Sequence, residues 1–332
     1  MNAPKLRLAV VCGGYSAEAA VSRKSAANVM EHLDRKRYEP TLIHIDADGW
    51  WAEVAGERRA VSREKFTVPG LPPFDGVFII VHGTPGEDGR LQGYFELLGI
   101  PHTTGNARNM ALTFHKGWTT GLLRAKGHPV APSKEIPKGA DVEGLDLELL
   151  LVGIDLPCFV KPNEAGSSVG VHRVDRVEEL RPAIRAALAA ESSSVLVEGL
   201  LDGREFTVGV LPDGAGGVMA LPITEIISHN AFFDYAAKYE GASDEITPAD
   251  LPVETTEQLQ ELAVAVYRDL DCAGMARVDM ILMDGIPRII EINTVPGFSA
   301  ASIVPQQGAA IGLSKQDILT RVVEATVGLA KI

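Results

Sequence analysis

Positive charge is in short supply in this 332-residue sequence: 31 Lys and Arg face 44 Asp and Glu, a formal net charge of −13. A nucleic-acid or anionic-membrane surface would need a basic stripe, so both are excluded as partners. Cysteine is scarce as well. Cys12, Cys158 and Cys272 are odd in number, far apart, and each on or beside an apolar segment. Neither a disulfide framework nor a zinc spacing emerges, which makes a reducing cytosol the expected location. No apolar run approaches the roughly 18 residues of a membrane span. The apolar part of the opening "MNAPKLRLAVVCGG" is too short for a signal peptide and reads as a first buried strand. The phosphate-loop pattern G-x-x-x-x-G-K-[ST] occurs nowhere, and no G-x-G-x-x-G follows a strand, against a dinucleotide oxidoreductase.

What is present is an ordinary globular composition, 46% hydrophobic and 23% charged, at a length that predicts two or three domains. The opening third reads β-α-β: Leu6–Cys12 strand, Glu18–Leu33 helix, Pro40–Ile45 strand. A further short strand over 76–82 and the helix-like "GRLQGYFELLG" follow. Such alternation implies a parallel, doubly wound sheet with ligand loops at the strands' C-terminal ends. One helix is predicted over Asn106–Lys126, then hairpin strands at 156–162 and 168–174, a helix over Glu178–Ala190 and a strand at 194–200. Strands near 205–211 and 217–224 follow, then an aromatic, irregular stretch over 226–250 that reads as a lid or binding loop. A helix over Thr256–Leu270, a hairpin and a last helix from Lys315 close the chain.

That hairpin carries the chemistry. "MARVDMILM" and "RIIEINTVPGF" are apolar strands flanking the turn signal Met283-Asp284-Gly285-Ile286-Pro287. Side chains alternate faces, so Arg277 lies with Asp279, and Glu291 with Asn293. A two-residue loop at Asp284-Gly285 would set Glu291 against Val278, whereas a three-residue loop would set Asp279 against Glu291 and Arg277 against Asn293. In the second register two carboxylates have Cβ atoms about 5 Å apart. Their repulsion is roughly 3 kcal/mol at an effective dielectric near 20. A hard divalent cation removes it, and two carboxylates with an amide oxygen suit Mg²⁺.

Other segments are less decisive alone. In "KPNEAGSSVG", Lys161 ends a strand and Gly166-Ser167-Ser168 offers either a nest of N–H groups and hydroxyls for phosphate oxygens or an ordinary turn. Glu198 and Glu205 stand at adjoining strand ends, where they could accept from an adenine amino group and ribose hydroxyls or be plain surface acids. In "VCGGYSAEAAVS", Ser16 is a candidate N-cap and Glu18 falls in a helix's first turn, where acids are favoured anyway. "HGTPGEDG" carries His82, Glu87 and Asp88 on a glycine-rich loop.

Together and in this order, "GGYSAE", "HGTPGEDG", "KPNEAGSSVG", "FFDYAAKY", "RVDMIL" and "EINTVPGFSAASIVP" resemble the ATP-grasp ligases and, among them, the D-alanine–D-alanine ligase family. The resemblance covers nearly the whole chain. It implies an α/β and α+β ATP-grasp fold: a Rossmann-like substrate domain over 1–107 with the doubly wound sheet, then two α+β subdomains, a central one over 108–197 and a C-terminal one over 198–332. The last would hold the metal site and a mobile loop over 226–250.

By the same resemblance, ATP lies between the second and third units. Lys116, Lys161, Ser167 and Ser168 would face its phosphates, Glu198 and the backbone of Leu201 its adenine, and Glu205 its ribose, with Lys238 on the mobile loop also binding ATP. Asp279, Glu291 and Asn293 would hold two Mg²⁺, or Mn²⁺ in their place. Glu18 would bind the ammonium of a first D-alanine, with His82 beside it, and Ser302 the carboxylate of a second. Arg277 and the Gly297 N–H would stabilise an oxyanion, while Tyr239, Ser167 and Glu18 form a hydrogen-bonded set near the substrates. Tyr239 resembles dipeptide ligases; relatives that form the D-alanyl–D-lactate ester tend to carry another residue there. The implied protein is a cytoplasmic homodimer supplying peptidoglycan precursors through an acyl phosphate. Two positions depart from the family pattern: Ala165, where many relatives have Glu, and His115, where Asp often precedes the first phosphate-binding lysine.

Overall fold

The apolar opening forms β1 (Leu6–Gly13), an inner strand of a mixed sheet in a computed structural model that describes residues 4–164, 166, 169–190, 192–228 and 243–328. β2 (Tyr38–Asp46) and β5 (Gly76–Ile79) flank β1, both parallel to it. An edge hairpin, β3 (Gly49–Val54) and β4 (Glu57–Ala60), extends the β2 side antiparallel. Strand alternation sorts β1 into two cores. Leu8, Val10 and Cys12 pack on Ala26 and Val29 of α1 (Ala19–His32), while Ala9 and Val11 share a core with Leu91 and Phe95 of α2 (Arg90–Leu97). Helices thus cover both faces.

The helix predicted over Asn106–Lys126 is two. α3 (Ala107–Phe114) stops at His115, whose extended backbone (φ −94°, ψ 102°) starts α4 (Lys116–Ala125). His115 Nδ1 accepts the Trp118 N–H at 3.2 Å, so a capping side chain sets the break. A second sheet, ordered β6 (Ser133–Pro137), β9 (Ser194–Gly199), β7 (Cys158–Pro162), β8 (His172–Val174), is antiparallel throughout. α5 (Leu147–Leu150) and α6 (Leu180–Leu188) cover it, burying Leu150, Leu180 and Ile184 against Cys158, Val160, Val195 and Val197. The strand predicted over 168–174 is confined to β8.

The third sheet runs β13 (Ser243–Ile246), β12 (Thr224–Ser228), β10 (Arg204–Pro212), β14 (Ala276–Met283), β15 (Ile286–Asn293), with β11 (Val218–Ala220) beside β10. Its apolar face packs on α7 (Val253–Asp269) through Leu259, Ala263, Val266 and Tyr267. The ends of the stretch read as irregular over 226–250 are a ladder, Ile226 opposite Glu245 and Ser228 opposite Ser243. Lys238 and Tyr239 lie outside the described residues, as do Ser167, Ser168 and Ala165. α8 (Ile303–Ala310), which no sequence signal announced, precedes α9 (Lys315–Val323). Val304, Ile318, Leu319 and Val322 return to the first sheet and bury against Leu8, Val10 and α1. The end of the third sheet is thereby carried onto the loops of the first.

Candidate active site

The β14–β15 turn holds two residues, Asp284 and Gly285, both at positive φ (53° and 74°), the geometry of a tight hairpin. From Met283 opposite Ile286 to Met280 opposite Ile289 the ladder keeps that register. Between Asp279 and Met280 it shifts by one, leaving Ile290 unpaired, so Asp279 stands opposite Glu291 and Arg277 opposite Asn293. The pairing read for the three-residue loop is realised with the two-residue loop plus a bulge.

Asp279 is surrounded by donors. Arg277 grips both its oxygens (Nε to Oδ1 2.9 Å, Nη2 to Oδ2 2.8 Å), Thr207 Oγ1 donates at 2.5 Å from β10, and Asn293 Nδ2 donates at 2.9 Å. Burial works to lower the Arg277 pKa, but Asp279, with Glu291 and Glu245 adding, raises it instead. Glu291 lies 3.3 Å from Lys116 Nζ at the start of α4.

Two adjoining clefts meet here. The larger, about 350 Å³, brings Glu18, His82, Glu205 and Ser302 to the Arg277, Asp279 and Asn293 face, with Gly297 in its wall. The smaller, about 70 Å³, holds Lys116 and Glu291 and shares Glu18 and Asn293 with the first. Glu18 immediately precedes α1, and a Cβ on Gly166 would meet its Oε2 at 2.7 Å, so a larger residue there would push the Glu18 carboxylate aside. Ser16 is not the helix cap predicted. Its Oγ accepts the Glu18 N–H and donates to the His82 carbonyl, tying the first strand's loop to the fifth's.

His82 is buried with both ring nitrogens engaged. Nδ1 lies 2.9 Å from the Val295 carbonyl, which can only accept, so Nδ1 carries the proton. Nε2 lies 3.2 Å from Ser25 Oγ. Burial lowers its pKa, Glu18 and the Val295 carbonyl opposing and Arg277 assisting. A neutral His82 therefore borders the cleft as a fixed wall. Ser302 Oγ accepts the Ser299 N–H at 2.8 Å.

Lys161 and Glu198, expected at opposite ends of a nucleotide, form a buried ion pair of 2.5 Å on β7 and β9. The α4 start is docked beside them: Lys116 N–H donates to the Asn163 carbonyl and Gly117 N–H to Asn163 Oδ1. Glu205 and half-buried Leu201 occupy the β9–β10 junction. Sequence reasoning missed Thr207, whose place two residues after Glu205 on one strand face was the available signal. It also missed Glu245, on the rim beside Gln306, and passed over Glu87. Glu87 lines both clefts. Burial and Glu18 push its carboxyl up to about 8, against the Gly83 and Val295 N–H groups that favour the ionised form.

Among the described residues no group of three or more His, Cys, Asp or Glu side chains could hold a metal. A cation here would rely on Asp279, Glu291 and the Asn293 amide. These are hard oxygen donors, few in number, which fits Mg²⁺ carrying phosphate and water as its other ligands. The Asn293 amide donates to Asp279 as assigned, and turning it over would present its oxygen to the same place.

A family model described as D-ala D-ala ligase C-terminus matches residues 122–324, and one described as D-ala D-ala ligase N-terminus matches residues 7–105. The D-alanine–D-alanine ligase of Phocaeicola vulgatus is 40% identical over 325 residues, covering 96% of this chain and 99% of the relative. This chain belongs to the D-alanine–D-alanine ligase family. Solved structures of the family agree in fold. The Coxiella burnetii D-alanine–D-alanine ligase superposes with a TM-score of 0.87 at 31% identity, covering 99% of this chain and 96% of that one. The Bacillus anthracis D-alanine–D-alanine ligase complexed with ATP does so with a TM-score of 0.80 at 30% identity, covering 99% of each. The ATP-grasp architecture expected for the family is the one observed.

Proposed function

We propose that this protein is an ATP-dependent ligase that joins two D-alanines for peptidoglycan synthesis. The observation that carries this reading is the convergence, in one pair of clefts, of the Asp279–Glu291–Asn293 face, the Lys116 cation and Glu18. Membership of the family supports the reaction and its use of ATP. Magnesium, the residue roles, a cytoplasmic homodimer and the division at 1–107, 108–197 and 198–332 are parts of the same proposal.

In the reaction, the γ-phosphoryl group of ATP passes to the first D-alanine's carboxylate, giving an acyl phosphate and ADP. The second D-alanine's amine then attacks the acyl carbon, and phosphate leaves with the electron pair of the broken C–O bond. Glu18 holds the first ammonium by charge, and Ser302 receives the second carboxylate. Lys116 and Lys161 offset phosphate charge; Lys161 must leave Glu198 to do so, which frees that carboxylate for the adenine amino group. Arg277 spends two N–H groups on Asp279. Its other donors, with the Gly297 N–H, are available to the tetrahedral oxyanion, where one preorganised donor contributes about 3–4 kcal/mol. Asp279, Glu291 and Asn293 would hold Mg²⁺, which supplies charge neutralisation of the phosphoryl oxygens. Ser167, Ser168, Lys238 and Tyr239 are assigned by resemblance as phosphate and substrate contacts.

The test is phosphate release with ATP, Mg²⁺ and D-alanine, the dipeptide being identified in the product. Incubation of D-alanine with D-lactate or D-serine measures the acceptor choice. Absence of D-alanine-dependent phosphate release would remove the proposal.

A further inference from the structure

The wall segment that contains Gly297 is not held by its own sheet alone. Val295 and Phe298 flank Pro296-Gly297, and three of their four main-chain polar groups are bonded to side chains belonging to the first sheet's α1 and its β5–α2 loop. The Val295 carbonyl receives His82 Nδ1–H at 2.9 Å. The Phe298 N–H donates to Ser25 Oγ at 3.1 Å, and the Phe298 carbonyl accepts from Asn28 Nδ2 at 2.6 Å. These side chains are themselves held: Ser25 Oγ bonds His82 Nε2, and Asn28 Oδ1 accepts Lys315 Nζ at 3.0 Å.

Protonation fits one assignment. With Nδ1–H committed to a carbonyl, neutral His82 accepts at Nε2 from the Ser25 hydroxyl, whose oxygen accepts the Phe298 N–H. Each group has one role, and Phe298 itself is fully buried. Three side-chain anchors hold these two residues. Phe298 is packed in the shared apolar core in any case.

We infer that Ser25, Asn28 and His82 form a brace that fixes Gly297, making Ser25 and Asn28 positioning residues for the ligase reaction. Neither lines the clefts, so each acts only through Phe298 and, for Ser25, through His82. The inference rests on the proposed reaction for its catalytic consequence, but the brace itself exists without substrate. A displacement of about 1 Å in a positioned group can cost about 100-fold in rate. A donor aimed at a developing oxyanion is sensitive to such a displacement, whereas ATP binding, made by other residues, is not.

The experiment pairs two readouts on Ser25→Ala, with Ser25→Thr as the conservative rescue. Amide hydrogen exchange across 294–302, in the substrate-free protein, tests the brace independently of any activity. Steady-state phosphate release with D-alanine tests its consequence. We expect faster exchange in Ser25→Ala, a kcat lowered about 100-fold with the KM for ATP unchanged, and both restored in Ser25→Thr. Unchanged exchange would overturn the brace. Faster exchange with wild-type kcat would overturn its catalytic role. A wild-type protein that releases no phosphate would sink the ligase reading while leaving the exchange result standing. Should Ser25→Ala fail to fold, Asn28→Ala loosens the Phe298 carbonyl end and is read by the same criteria.

Discussion

Asp279 and Glu291 are direct partners across β14 and β15 because Ile290 is set aside as the extra residue of a bulge. Without it, the two-residue turn would carry its register on and place Ile290 opposite Asp279. Bulges of this kind re-aim side chains next to functional sites. The repulsion created is met locally, by Arg277, Thr207 and Asn293 on one acid and by Lys116 on the other. The pair is thus poised for a cation but stable without one.

The two acids therefore respond differently to neutralisation. On the proposed mechanism, in which both acids face the transferring phosphoryl group, Asp279→Asn and Glu291→Gln should each lower turnover by about 100-fold or more. Their stabilities should diverge. Asp279→Asn leaves the enclosed Arg277 guanidinium without its partner, costing about 3 kcal/mol. Glu291, 25% exposed and 3.3 Å from Lys116, is less enclosed and leaves behind a lysine that can turn to water, so its loss should be smaller, about 1 kcal/mol. Denaturant unfolding of both variants measures this, and equal losses would contradict the arrangement.

Lys161 and Glu198, each 9% exposed as side chains, make the most enclosed Lys–carboxylate contact at the site. Removing one partner strands the other. Lys161→Met should cost about 3–5 kcal/mol, whereas pairing it with Glu198→Leu should recover most of that loss. Both proteins should fail to bind ATP in calorimetric titration. A single variant as stable as the double would show the pair to be uncoupled.

The β-α-β opening was legible because its apolar strands and amphipathic helix repeat with clean periods. The alternation that put Arg277 with Asp279 and Glu291 with Asn293 was legible for the same reason. The register between the strands was not: loop length alone left two pairings open, and Ile290 looks like any other strand residue. The His115 break was hidden because histidine is not a habitual cap and the apolar period continues through it. Ser25 and Asn28 read as polar positions of a surface helix. Their partner Phe298 lies 273 and 270 positions away, a separation over which no local pattern speaks.

His115 does the work of an N-cap and also stacks on Trp118, ring centroids 4.3 Å apart. His115→Ala should destabilise the protein by about 1 kcal/mol, the ordinary cost of losing a cap. His115→Asp keeps an acceptor in place and adds favourable charge at the α4 start, so it should lose less than Ala. Thermal melts of the two variants give the order; since both lose the stack with Trp118 equally, the reverse order would mean that burying a carboxylate there costs more than the cap contributes.

Glu87 gives the stability curve a predictable slope. Its carboxyl is pushed from an ordinary 4.5 up to about 8, first by burial and then by Glu18, with Glu291 adding and the Gly83 and Val295 N–H groups opposing. The folded protein then holds a proton that the unfolded chain has already released between those two values. Its contribution to stability is complete below 4.5 and is lost as pH rises towards 8, at no more than about 1.4 kcal/mol per pH unit. Glu87→Gln has no such proton and lacks this slope. Melting both proteins from pH 5 to 8, free of metal and nucleotide, should therefore show the wild type falling relative to the variant as pH increases. Parallel curves would mean that Glu87 is ionised throughout, with the Gly83 and Val295 N–H groups outweighing burial and Glu18.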